Sequence, residues 1–167
     1  ELLSLSAYLN QEPETCLEYL FGQGHDMGID GLWVGEVLDN SFQVILVQSH
    51  YKRNLETDSH FPANKVLRSV EAVRRIFNPR ADYDAHPELK AVIEEIRSLI
   101  VEGNLPDVTF ILANNGLKWN QEGQNHIDEF KKSGDTQNQV RFRHLNHTDI
   151  VSQVRPASKT HDTLQLT

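Results

Sequence analysis

Phe42-Gln43-Val44-Ile45-Leu46-Val47-Gln48 decides how this chain folds. Successive side chains of a strand point to opposite faces, so the unbroken apolar run Val44-Ile45-Leu46-Val47 describes a strand buried on both. Just upstream, Ile29-Asp30-Gly31-Leu32-Trp33-Val34-Gly35-Glu36-Val37 reads as a second strand. Asp39-Asn40, between the two, has the chemistry of a tight turn. The two strands therefore form a β-hairpin with a short loop.

Helices and further strands follow outward from this hairpin. Residues 62–77 place Val66, Val70, Val73 and Phe77 on one helical face, and Asn78-Pro79 stops the run. Pro87 opens a helix to about residue 101, with Leu89, Val92, Ile93, Ile96 and Ile100 inward and Gly103 past its end. Val108-Thr109-Phe110-Ile111-Leu112-Ala113 is a third buried strand, closed by Asn114-Asn115-Gly116. Residues 119–132 form an amphipathic helix through His126, Ile127 and Phe130, and Val140-Arg141-Phe142-Arg143-His144-Leu145 alternates as a half-exposed strand. At the start, residues 1–21 read as a helix divided near Pro13, with Leu2, Leu5, Leu9, Cys16, Leu17 and Leu20 inward; residues 148–154 predict a short closing helix. Helices alternating with buried strands predict an α/β fold, a central sheet flanked by helices on both faces. The hairpin makes that sheet mixed. Residues 1–155 are read as one domain, and the polar residues 156–167 as a tail or the start of a further domain.

Composition narrows the function classes. The 167 residues suffice for one domain with a sizeable core. No run of about 18 apolar residues is present, so the expectation is no membrane span. The opening Glu1-Leu2-Leu3-Ser4 has neither an initiator Met nor a basic leader, which reads as a piece of a longer chain. The single cysteine, Cys16, excludes an internal disulfide and a Cys-rich zinc site, and points to the reducing cytoplasm. The net charge of −8 argues against tight autonomous binding to a polyanion. One stretch departs from that balance: Lys52-Arg53, Lys65, Arg68, Arg74-Arg75 and Arg80. It is either a phosphate-facing surface or a solvated helix face.

Chemistry concentrates at the hairpin. Asp30 opens the first strand and Gln48 ends the second. If the second strand persists to Lys52, the side chains of Gln48, His50 and Lys52 share a face. A carboxylate across a hairpin from an amide, an imidazole and an ammonium suits a metal-and-water site. Asp30 would ligate a hard cation such as Mg²⁺ (or Mn²⁺), and the Gln48 carbonyl would add an oxygen. Such a metal lowers the pKa of a bound water and stabilises charge on a phosphate.

His25-Asp26-Met27-Gly28-Ile29-Asp30-Gly31, followed by Val44-Ile45-Leu46-Val47-Gln48-Ser49-His50-Tyr51-Lys52, resembles the Mrr-like branch of the PD-(D/E)xK restriction-endonuclease-like superfamily. That branch runs roughly D-G-G-I-D-G, then a hydrophobic strand ending Q-x-K. Within it, the chain is most similar to the N-terminal domain of the abortive-infection phage-resistance (AIPR) proteins. The resemblance covers about residues 10–155 and rests on fewer than ten specific residues. It implies a metal-dependent endonuclease domain of prokaryotic anti-phage defence, hydrolysing DNA in preference to RNA. Asp30 matches the metal-binding Asp, Gln48 the acidic or Gln position, and His50 the catalytic Lys. Glu18, with Glu14 one turn earlier, matches the Glu that many of these folds contribute from the first helix. Paired nuclease domains cut both strands of a duplex, which makes a homodimer a candidate assembly.

His50 in place of a lysine leaves three readings. His50 acts in protonated or hydrogen-bonded form, Lys52 takes over its role, or the site is inactive and the fold serves as an interaction or dimerisation module. An imidazole of ordinary pKa is mostly neutral at pH 7. Asp26 is a loop residue before it is a second ligand. The remaining histidines show no metal-binding spacing. Trp33 and Trp119 read as packing residues, and Asn114-Asn115-Gly116 as a turn.

Overall fold

The computed structural model describes residues 9–11, 26–53, 59–134 and 140–146. Seven elements follow in order: β1 (Gly31–Val34), β2 (Ser41–His50), α1 (Ala63–Ile76), α2 (Pro87–Val101), β3 (Leu105–Asn114), α3 (Gln121–Lys132) and β4 (Val140–Leu145). The helices predicted over 1–21 (apart from residues 9–11) and 148–154 lie outside the described residues, as does Glu18.

The hairpin forms as expected. Asp39 and Asn40 both have positive φ, 52° and 59°, as a two-residue turn matching the strand twist requires. Leu38 and Ser41 exchange backbone hydrogen bonds of 2.9 and 3.0 Å across it. β1 is shorter than its apolar pattern suggests: it ends at Val34, and just beyond it Gly35 N–H still reaches Gln43 O. β3 is longer, because ten residues run in parallel register with β2, from Ser41 opposite Leu105 to His50 opposite Asn114. Its first turn of sequence, Leu105-Pro106-Asp107, hides that start behind a proline and a charge.

The sheet has order β1-β2-β3-β4 and is mixed: β1 is antiparallel to β2, whereas β2, β3 and β4 are parallel. Both crossovers step across the sheet in the same direction. Crossovers of this kind are right-handed in nearly all proteins, so helices between such strands fall on one face. All three described helices do so. Phe42, Val44 and Leu46 of β2 meet Val108, Phe110 and Leu112 of β3 and the apolar stripes of α1, α2 and α3 in one core. The opposite face carries Ile45, Val47, Ile111 and Ala113, against which Trp33, Leu145 and Leu9 pack. Leu9 comes from the segment where the sequence predicts the first helix. Trp119, 6% exposed, belongs to the main core, so both tryptophans pack. Among the described residues no helix is long and apolar enough to cross a membrane.

The connection after β3 is tight. Leu117 N–H donates to Ser59 O and Phe61 N–H to Leu117 O, both at 2.9 Å. A β-carbon at Gly116 would lie 2.2 Å from Ser59 O, so this approach of two backbones admits only glycine.

Candidate functional site

The sheet brings the hairpin's polar residues to one edge. β1 runs antiparallel to β2, so its start meets the end of β2, where Gly31 pairs with Val47. β3 and β4 also end here, with His50 opposite Asn114 and Leu112 opposite His144. Asp30, Gln48, His50, Asn114 and His144 therefore border the carboxyl ends of the three parallel strands. Open α/β sheets present their ligand sites at that edge.

Asp30 is held from both backbone and side chain. Its N–H donates to Val47 O at 2.8 Å. Its Oδ2 accepts from Ser49 N–H at 2.7 Å and from Ser49 Oγ at 3.2 Å. These bonds favour the ionised carboxylate. Asp26 sits in the preceding turn, where Oδ1 accepts from Gly28 N–H at 2.9 Å. That is a turn contact, as the sequence suggests.

Gln48 is buried in the core. Only 4% exposed, its Oε1 accepts the Ser69 hydroxyl of α1 at 2.6 Å. A β-carbon at Gly28 would come within 3.3 Å of Gln48 Nε2, and Gly28 has φ +75°. Gln48 thus locks the end of β2 to α1 and to the 26–28 turn. The sequence signal for Ser69 was a hydroxyl on the buried face of α1, between Val66 and Val73.

His50 closes the strand. Its ring meets Phe61 edge-on at 6.5 Å. Burial, and then the ammonium groups of Lys65 and Lys52, push its pKa below the ordinary 6.5. The imidazole is therefore neutral at pH 7. Lys52 lies beyond β2, which ends at His50. The condition for a continuous strand face through Lys52 is not met. Instead, Asn115 clasps the Lys52 backbone, accepting from its N–H at 3.2 Å and donating to its carbonyl at 2.8 Å.

Three residues beyond the hairpin join the edge. Lys65, in the first turn of α1, donates from Nζ to Ser49 O at 3.4 Å. Asn114 bonds His144 Nε2 through Oδ1 at 2.8 Å and donates from Nδ2 to Leu117 O at 3.0 Å. His144 also meets the Trp119 ring edge-on at 6.1 Å. Asn114 and Asn115 thus do more than make a turn: one ties β3 to β4, the other ties the end of β3 to Lys52.

A cleft of about 310 Å³ opens beside this edge, between the 26–28 turn and α1. Arg68, Ala72 and Arg75 line it with Gly28, Asp26 and Glu71. Lys65, Arg68, Ala72 and Arg75 follow the i, i+3, i+7, i+10 spacing of one helical face.

As a cation site, the edge offers one carboxylate among the described residues, Asp30. Asp30 suits a hard divalent ion, whereas the Gln48 oxygen is already engaged by Ser69. Among the described residues, no three His, Cys, Asp or Glu side chains converge as a metal cluster. Mg²⁺ commonly keeps several waters and is held by one or two carboxylates plus substrate phosphates. Asp30 fits that mode and would hold the ion only together with a ligand. No protein-family model matches the chain, and neither does any curated protein or solved structure compared with it.

Proposed function

We propose that this chain is a nuclease domain of the PD-(D/E)xK kind it resembles, hydrolysing DNA phosphodiester bonds with Mg²⁺ or Mn²⁺. The observation that carries the reading is the position of Asp30. A carboxylate fixed by two Ser49 bonds stands at the carboxyl edge of the parallel strands, beside two lysines and a cleft with two arginines. This local excess of positive charge lies within a chain of net charge −8. Long-range binding of DNA would then draw on further domains of a longer chain or on a second copy. The setting that fits is the prokaryotic cytoplasm, in defence against phage.

When bound, a divalent ion supplies an acidified water and neutralises charge on the phosphate. The chain's own residues fix the Asp30 carboxylate, keep His50 neutral and able to accept a proton, and present cations from α1. A neutral imidazole in place of a permanent cation, and a Gln48 oxygen turned to Ser69, favour a second reading: a catalytically inactive nuclease fold that retains nucleic-acid or protein binding.

Nicking of supercoiled plasmid in Mg²⁺ or Mn²⁺ at low salt separates the two. The nuclease reading expects nicking that chelation stops and that Asp30→Ala lowers by about 10²-fold or more, the scale of losing a group that stabilises transition-state charge. Salt-sensitive duplex binding without nicking selects the inactive fold. Neither binding nor nicking removes both.

A further inference from the structure

We infer that Lys65 of α1 is the phosphate-binding cation of this site, in the place that neither His50 nor Lys52 fills. The inference rests on the phosphodiester reading above and adds the residue that would grip the substrate's charge.

Geometry comes first. A strand residue directs its N–H and C=O to the same neighbouring strand. For Ser49, that side is the one where Asp30 receives its amide at 2.7 Å. The Lys65 ammonium meets the Ser49 carbonyl on the same side. Carboxylate and ammonium thus bracket a single residue of β2 at the sheet edge. The Lys65 contact, at 3.4 Å, is long for a hydrogen bond. An ammonium has three donors, and among the described residues Ser49 O is the one acceptor within reach of Lys65 Nζ. Lys65 makes no ion pair with a described carboxylate.

The placement of Lys65 also runs against the needs of the helix. α1 begins after Pro62, which offers no side-chain cap, and its first turn contains no acidic residue. A cation in a first turn sits at the positive end of the helix dipole and is disfavoured there. The two alternatives are less suited. His50 packs its ring edge-on against Phe61. Lys52 is exposed beyond the end of its strand, whereas Lys65 is half-buried on a helix, and rigid elements hold site residues more accurately than loops do.

The test uses the whole chain and four variants: Lys65→Met, which keeps the aliphatic stem, Lys65→Arg, His50→Ala and Lys52→Ala. Two quantities are read: plasmid nicking in Mg²⁺, and duplex-DNA binding in Ca²⁺ as a function of salt. Lys65→Met is expected to nick about 10²-fold more slowly, and its slope of log affinity against log salt falls by about 1. Lys65→Arg restores the slope and part of the rate. Thermal melting shows all variants folded, and Lys65→Met loses more in rate and in slope than His50→Ala or Lys52→Ala. A normal rate and slope in Lys65→Met, with the loss falling on Lys52→Ala or His50→Ala, overturns the inference and leaves the nuclease reading standing. If the chain binds without cutting, the salt slope alone decides for or against Lys65. If it neither binds nor cuts, both readings fall.

Discussion

The two ends of α1 are built on opposite principles. At the C-terminal end, Arg97 of α2 is buried and gives its guanidinium to the helix's last carbonyls. Nη2 donates to Arg75 O at 2.6 Å and to Ala81 O at 2.8 Å, and Nε to Ile76 O at 3.4 Å. The guanidinium also lies 4.4 Å from the Tyr83 ring centre, and Tyr83 donates its hydroxyl to Glu94 at 2.5 Å. Burial first, then that bond and the Glu94 charge, push the Tyr83 pKa up to about 12. Arg74 and Arg75 in the last turn suit the dipole as well. Orphan carbonyls are satisfied and charges face the favourable pole. At the N-terminal end, the cap is a proline and the charged residue is a lysine at the wrong pole. One end is closed by groups that satisfy its carbonyls and suit its dipole. The other is left electrostatically open beside Asp30, which is where a ligand would complete it.

The largest expected effect of breaking this contrast is on stability, at the closed end. Arg97→Met removes donors to three carbonyls and the cation over Tyr83. Charge-assisted bonds and the desolvation of abandoned carbonyls together put the loss at about 3 kcal/mol, measured by chemical denaturation. Duplex binding by the fraction that remains folded is measured alongside, because Arg97 holds the backbone of Arg75, whose side chain lines the cleft.

The smaller effect is at the open end, in the titration of His50. Its folded pKa lies below the ordinary 6.5. Above about pH 6.5 the ring is neutral in folded and unfolded chains alike, and its contribution to stability is fully present. As pH falls further, the unfolded chain takes up a proton before the folded one, so stability is lost. His50→Gln should flatten that part of the stability–pH curve. In NMR titration of the imidazole, the midpoint should fall below 6.5 and rise in Lys65→Met more than in Lys52→Met, because Lys65 is the stronger of the two influences.

How much of this was legible in the sequence follows from the range of each interaction. The helices could be read closely because their apolar stripes are local: α1 and α2 fall within a residue of the predicted runs. The mixed sheet was legible through the Asp39-Asn40 turn and the buried run of β2. The parallel start of β3 was not, since the apolar run begins only at Val108 and the β2 register draws Leu105 and Pro106 into the strand. For the candidate site, Asp30, Gln48 and His50 do gather at one edge, because hairpin register is a local property. Their partners are not local. Ser69 meets Gln48 from 21 positions away and Lys65 meets Ser49 from 16. His144 meets Asn114 across a parallel pair 30 positions apart. Periodicity tells which face a residue occupies and not what it meets there. For Lys65 the signs were its place in the basic stretch 52–80 and in the first turn of a helix with no acidic residue beside it.

Mapping a short DNA duplex onto the isotope-labelled chain by amide NMR in Ca²⁺ tests most directly that the open end is the ligand site. The account predicts perturbations gathered on Asp30, Ser49, His50 and Lys65, extending to Arg68 along the cleft, with the amides of Ala81, Tyr83 and Arg97 unmoved. Perturbations centred on the Arg97 end or elsewhere on the surface, or none at all at low salt, would contradict it.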